Sequence, residues 1–240
     1  MLRPERASCL KACSQGLPSR DSAIDARGFY RRTGKRLFDA IGATCALILL
    51  APLLAALGTL IKVTSCGPVF FRQERVGKNG KVFSLVKFRS MAHVAHGKAL
   101  LVTASGDPRV TRFGALLRRY KLDELPQLWN VLKGEMSFVG PRPELPVYVA
   151  TYSEHERDAL SVRPGITDLA SIAFRHEEEL LGSVADPEEF YRNTVLPHKL
   201  SMNLEYIGQM SFTLDVRLIL RTLRSVLQSS PGKEASNSRC

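Results

Sequence analysis

One stretch of the chain is apolar without interruption. Ala40 to Ile61, AIGATCALILLAPLLAALGTLI, holds 22 residues with no charge, which reaches the length of a membrane-spanning helix. Pro52 lies near its middle. It removes a backbone donor there, so a kink or break is expected at Ala51-Pro52. Both flanks are basic: YRRTGKR precedes the run, and Lys62, Arg72, Arg75, Lys78, Lys81, Lys87 and Arg89 follow it with only Glu74 opposing. Basic flanks mark the cytoplasmic side. The pattern therefore predicts a re-entrant membrane helix hairpin over residues 30–62, entering and leaving on one side with Pro52 at the break. Each half would hold about ten residues, or roughly 15 Å, enough for one leaflet. A straight span and a buried core helix fit the same run. Asp39, at the boundary, is expected to cap the helix or pair with Lys35 or Arg36 rather than lie in lipid.

Around this run the pattern breaks into short pieces. Residues 1–29 show no periodicity and read as a flexible extension. Val69–Phe71 and Val82–Phe88 read as short strands joined by the turn GKNG, followed by a loop over 92–108. Asp107-Pro108 is expected to open a helix with Val110, Phe113, Leu116 and Leu117 on one face and Arg109, Arg112, Arg118 and Arg119 beside them. Further helices are expected over Pro146–Glu156, from Asp186-Pro187, and over Pro197–Gln209. A last amphipathic helix opens at Asp215, with Val216, Ile219, Leu220, Leu223 and Leu227 alongside Arg217, Arg221 and Arg224. Its pattern fits both an anionic membrane surface and docking on the core. The fold class that follows is mainly α with a small β element: membrane hairpin, compact cytosolic domain over residues 63–228, amphipathic surface helices and a disordered tail over 229–240.

Charge narrows the partners. The 240 residues carry a net charge of +11, which calls for an anionic partner: nucleic acid, an acidic phospholipid membrane or phosphorylated substrates. Residues 1–36 hold nine Lys or Arg against three acids, a balance of +6 next to the apolar run. No nucleic-acid motif or aromatic–basic interleaving is present, so no nucleic acid is expected. The five cysteines have neither zinc-ligand nor disulfide-framework spacing, and His93 and His96 lack a third ligand. No signal-peptide pattern opens the chain.

Candidate chemistry concentrates in YKLDELPQLWNVLKGEMSFVGPRP, Tyr120 to Pro143. Asp123 and Glu124 are adjacent acids beside Lys121, and Arg142 sits between two prolines. Paired carboxylates near a constrained arginine suit a phosphoryl centre, with a nucleophile or metal ligand from the acids and a bidentate phosphate grip from the arginine. Adjacent helical positions point about 100° apart, so one acid can face phosphorus while the other holds metal. An N-capping acid followed by a surface turn fits the same letters.

Three longer segments then align with a known pattern: Gly67 to Met91, Asp107 to Pro143, and VRPGIT at Val162 to Thr167. Together they resemble the bacterial sugar transferase family, the monotopic polyprenol-phosphate phosphoglycosyl transferases. The resemblance implies transfer of a hexose-1-phosphate from a UDP-sugar to undecaprenyl phosphate, releasing UMP, at the cytoplasmic face of the bacterial inner membrane. The product would open assembly of a polysaccharide or glycoconjugate. It implies Asp123 as nucleophile through an aspartyl phospho-sugar, Glu124 as the acid associated with Mg²⁺, and Arg142 on phosphate. It places Arg163, Lys87 and Arg89 near the site, and the basic helix with Arg112 is a further candidate for substrate phosphate. A single displacement, with both acids on Mg²⁺, is the alternative mechanism. A homo-oligomer is left open. The chain departs from the family pattern at Ala51, where many members have serine before the proline, and in DLASIAFRHEEEL after Thr167, a region expected to help define the sugar or nucleotide site. A nucleotide-sugar glycosyltransferase releasing UDP and a basic membrane adaptor are the competing functions.

Overall fold

The computed structural model describes residues 30–92, 107–175 and 177–227. The expected extension over 1–29, the His93–His96 pair, most of the 92–108 loop and the 229–240 tail lie outside those residues. Helix α1, Lys35–Thr64, is the longest element, 30 residues following a π-helical turn at Tyr30–Gly34. Pro52 lies inside it, and no non-helical residue separates the two halves at Ala51-Pro52. Among the described residues it is the one helix long and apolar enough to cross a membrane. Its middle is bare: Ile48 and Leu49 are 72% and 77% exposed. Its two ends are not. Lys35, Asp39 and Ala43 are buried at one end and Leu57 and Ile61 at the other. Ala43 packs with Phe83, Leu85, Val131 and Met136, while Leu57 and Ile61 pack with Phe88 and Leu117. Both ends therefore dock on the same body, through side chains of the same strand.

That strand belongs to an antiparallel hairpin of β1 (Phe70–Val76) and β2 (Val82–Phe88), with Phe70 opposite Phe88 and Val76 opposite Val82. The reversal uses Asn79 at φ 57° and Gly80 at φ 75°, the left-handed backbone that Asn and Gly tolerate best. The first strand runs five residues past the expected Phe71, because the ladder continues through polar RQER. Helix α2 (Arg112–Arg119) starts later than expected. Thr111 is its cap, accepting from the Gly114 amide at 2.9 Å, while Asp107 instead binds Arg109. A 3₁₀ turn, Leu122–Glu124, leads to α3 (Gln127–Lys133). Strands β3 (Ser137–Val139) and β4 (Gly165–Thr167) then pair in parallel, a pairing three residues long that sequence periodicity did not signal.

The C-terminal part is a set of short helices. The helix expected over Pro146–Glu156 stops early as α4 (Pro146–Val149); a 3₁₀ turn at Glu156–Ser161 follows. Then come α5 (Leu169–Ala173), α6 (Glu177–Gly182), α7 (Pro187–Phe190), α8 (Leu196–Gln209) and α9 (Phe212–Leu227). Their core joins Tyr148, Leu181, Tyr191, Val195 and Leu200. Helix α9 docks by one arc, Asp215 and Leu218, and leaves Phe212, Leu220 and Leu223 exposed. Asp215, fully buried, accepts from the Tyr30 and Tyr206 hydroxyls at 2.6 and 2.7 Å and pairs with Lys35. This polar knot ties the start of α1 to α9. Asp39 reaches neither Lys35 nor Arg36 as a hydrogen-bond partner; it accepts from the Phe138 amide and the Ser137 hydroxyl at the start of β3.

Candidate active site

Lys121 ends α2 in the left-handed region, φ 55°. That reversal, followed by the tight Leu122–Glu124 turn, turns both acids inward, leaving Asp123 6% and Glu124 7% exposed. Asp123 is therefore not the cap of α3, whose first flanking residue is Pro126. The two acids meet different surroundings. Glu124 Oε1 accepts from Lys87 Nζ at 3.0 Å and Arg142 Nη2 at 2.6 Å, and Arg142 Nη1 lies 3.4 Å from Oε2. Asp123 Oδ1 is buried with no hydrogen-bond partner among the described residues.

Their protonation follows from that contrast. Burial pushes Glu124 toward protonation, but the charges of Arg142, Lys87 and Lys121 outweigh it and hold the carboxyl well below the usual range. Burial raises Asp123 and the Glu124 charge raises it further, against the pull of Lys87, Lys121 and Arg118. Burial likewise lowers Lys87, despite Glu124. The Glu124 charge raises Arg142 further above its already high value.

The turn that carries Arg142 is clamped by close backbone approach. The Gly140 amide donates to Thr167 O at 3.1 Å, and the Gly165 amide to Pro141 O at 2.9 Å. A Cβ on Gly140 would meet Arg163 O at 2.4 Å, so only glycine lets β3 and the VRPG segment touch here. Asp168 caps α5 through the Ser171 amide at 2.7 Å and offers its second oxygen to the Arg142 amide at 3.4 Å.

Of the residues expected from sequence, Asp123, Glu124, Lys87 and Arg142 converge. The others lie at other contacts. Arg89 binds the Ser65 carbonyl and hydroxyl at 2.8 and 2.6 Å, holding the C-terminal end of α1. Arg163 donates to Gly134 O at 2.8 Å, and Arg36 to Val131 O and Leu132 O at 2.7 Å each, so two arginines cap the C-terminus of α3. Arg112 is exposed at the first position of α2. Other residues border the site that motif reading did not single out. Arg118 pairs with Glu178 at 3.3 Å and feels Asp123; Glu177 pairs with Lys199 and feels Arg142. The acidic run of α6 is thus not free surface, and only the nearby basic stripe hinted at it.

For a divalent ion the hard oxygens here are Asp123 Oδ1, which is unpartnered, and Glu124 Oε2, whose single contact is the long one. Among the described residues no group of three His, Cys, Asp or Glu forms a ready cage. Mg²⁺ needs none when one or two carboxylates share it with substrate phosphates, so the donor set fits.

Residues 30–229 match the family model described as bacterial sugar transferase. The chain belongs to that family. Among similar proteins, the UDP-glucose:undecaprenyl-phosphate glucose-1-phosphate transferase of Xanthomonas campestris pv. campestris is 40% identical over 213 residues, 87% of this chain and 41% of the relative. A UDP-N-acetylgalactosamine-undecaprenyl-phosphate N-acetylgalactosaminephosphotransferase of Aeromonas hydrophila is 37% identical over 80% of this chain and 43% of its own length. The exopolysaccharide production protein PSS of Rhizobium leguminosarum bv. phaseoli is 39% identical over 82% of this chain and 97% of its own. This sugar transferase family member thus spans less than half of the first two relatives and nearly all of the third.

Proposed function

We propose that the chain is a phosphoglycosyl transferase that moves a sugar 1-phosphate from a UDP-sugar to undecaprenyl phosphate, releasing UMP. The observation that carries this reading is the unequal acid pair: Glu124 is neutralised by Lys87 and Arg142, while the neighbouring Asp123 oxygen is buried and unpartnered. A carboxylate with a buried oxygen that has no hydrogen-bond partner among the described residues, beside two cations that can take phosphate oxygens, is arranged to attack phosphorus.

An Asp123 oxygen attacks the phosphorus that bears the sugar. The bond from that phosphorus to the bridging oxygen breaks, and UMP leaves with the electron pair. The aspartyl phospho-sugar is then attacked at the same phosphorus by an oxygen of undecaprenyl phosphate. The aspartyl–phosphorus bond breaks, Asp123 is regenerated as a carboxylate, and the lipid carries a diphospho-sugar. Arg142 and Lys87 hold equatorial phosphate oxygens and offset charge repulsion between carboxylate and diphosphate. Glu124 would hold Mg²⁺, which would supply further neutralisation of the diphosphate.

The acceptor is a lipid, and the fold is suited to meet it. Helix α1 exposes its apolar middle while both basic-flanked ends return to one body, which favours re-entry from the cytoplasmic face over a full span. The exposed arc of Phe212, Leu220 and Leu223, beside Arg217, Arg221 and Arg224, suits the surface of an anionic leaflet. Phe212 stacks edge-on against Phe38 of α1 at 5.4 Å, so the two apolar surfaces are continuous.

The test is a panel of UDP-sugars, beginning with UDP-glucose and UDP-N-acetylgalactosamine, with undecaprenyl phosphate and Mg²⁺. UMP release with formation of a lipid-linked diphospho-sugar is expected. UDP release instead would favour a glycosyltransferase, and lipid binding without turnover on any donor would favour an adaptor.

A further inference from the structure

We propose that Arg75 is a positioning residue for the transfer reaction, fixing through the Pro143 carbonyl the turn from which Arg142 reaches the acid pair. The proposal rests on the reading of Arg142 as the phosphate grip. Residues 71, 73 and 75 of β1 lie opposite 87, 85 and 83 of β2. Arg75 and Lys87 therefore share one face of the hairpin. Lys87 reaches Glu124 directly, whereas Arg75 reaches the turn.

Besides the Asp168 contact to the Arg142 amide, the turn is anchored at each end. Backbone bonds to Thr167 and Gly165 hold its first half, Gly140-Pro141. Its second half is held by β1: the Val76 amide donates to Glu144 O at 3.0 Å, and Arg75 Nη1 donates to Pro143 O at 3.0 Å. Proline fixes φ at positions 141 and 143 but leaves the peptide planes free to tilt. The Arg75 bond removes that freedom just after Arg142. Arg75 is itself immobilised. Gln73 Oε1 accepts from its Nε at 3.2 Å and its Nη2 at 2.8 Å, and Glu144 Oε2 lies 3.8 Å from Nη1. The other Glu144 oxygen accepts from the Tyr191 hydroxyl at 2.7 Å. A planar fork is needed to bridge Gln73 and Pro143 in one orientation; a lysine ammonium keeps the charge but not the plane. Small misplacement of a phosphate-holding group is expensive in rate.

The experiment is a double-mutant cycle on UMP release by the full chain, using Arg75→Lys, Arg142→Lys and the pair, with thermal stability measured in parallel. Arg75→Lys is expected to lower kcat about tenfold with KM for the donor little changed, and to cost less than about twofold once residue 142 is lysine. Gln73→Leu leaves Arg75 in place but frees its plane; a smaller loss that likewise vanishes in the Arg142→Lys background is expected. An equal loss in both backgrounds, or a loss that follows the melting temperature alone, overturns the positioning role. Full UMP release by Arg142→Lys on its own overturns the phosphate-grip reading, and the proposal with it.

Discussion

Arg142 and Glu124 meet as a fork on a carboxylate, with Nη2 2.6 Å from Oε1. The contact joins the turn after β3 to the acid pair before α3, and Lys87 of β2 closes it from a third side at 3.0 Å. Its consequence falls on the neighbour: two cations bind Glu124, and among the described residues Asp123 Oδ1 is left without a hydrogen-bond partner.

Asp123→Asn is expected to abolish UMP release, by about a thousandfold or more, and to raise thermal stability. Folding raises the Asp123 pKa. Such a group stabilises the fold below its unfolded value and loses that contribution as pH rises through the folded value, so at neutral pH the ionised form is a burden. The amide removes it. Thermal melting with a parallel UMP assay checks both halves, and a lower melting temperature contradicts the second.

In the proposed mechanism Asp123 attacks as a carboxylate, so the acid limb of the pH–rate profile should lie above that of an ordinary aspartate. Glu124→Gln removes one of the charges that raise it and leaves Lys87 and Arg142 uncompensated. The limb should then move to lower pH, alongside a reduced maximal rate. Glu124 contributes to stability with the opposite sign: its folded pKa is depressed, so its contribution is present above the unfolded glutamate value and lost as pH falls toward the folded value. The wild-type protein should therefore lose more stability than Glu124→Gln on acidification below the ordinary glutamate range, as acid melting curves would report.

The knot around Asp215 predicts a structural effect without a catalytic one. Asp215→Ala leaves Lys35 buried without its carboxylate and the Tyr30 hydroxyl without this acceptor, a loss of about 3 kcal/mol or more by comparison with other broken buried pairs. Tyr30→Phe should cost about 1 kcal/mol. Denaturant titration in detergent reads both. UMP release per folded molecule should stay within about twofold, since neither residue touches the acid pair.

Topology is checked by thiol labelling. Cys66, exposed just past α1, and a cysteine placed at Arg31 should be modified from the same side of sealed vesicles once Cys9, Cys13, Cys45 and Cys240 are replaced by alanine. Labelling from opposite sides would make α1 a full span.

The acid pair and Arg142 were legible as a cluster because they lie in one continuous motif, and the structure brings them together. Lys87 was legible only through the family resemblance, which also pointed to Arg89 and Arg163. Those two cap helix ends instead. A cation next to a helix terminus and a cation next to a carboxylate look alike in one dimension, and only the fold separates them. The three-residue β3–β4 pairing and the service of Asp168 and Arg75 to the turn were invisible for the same reason. The Asp168 and Arg75 contacts span 26 and 68 positions, and no contact of this kind leaves a periodic trace. Helix α1 shows the reverse: its composition announced it, whereas the Asp215 knot that secures its first turn joins residues 180 positions apart.

The central claim is tested most directly by incubating the full chain with a radiolabelled UDP-sugar and Mg²⁺ in the absence of undecaprenyl phosphate, then following the intact protein under conditions that preserve acyl phosphates. Label is expected on the wild-type protein near one per chain, none on Asp123→Asn, and its discharge into lipid when undecaprenyl phosphate is added. Turnover by a protein that never carries label would contradict the claim.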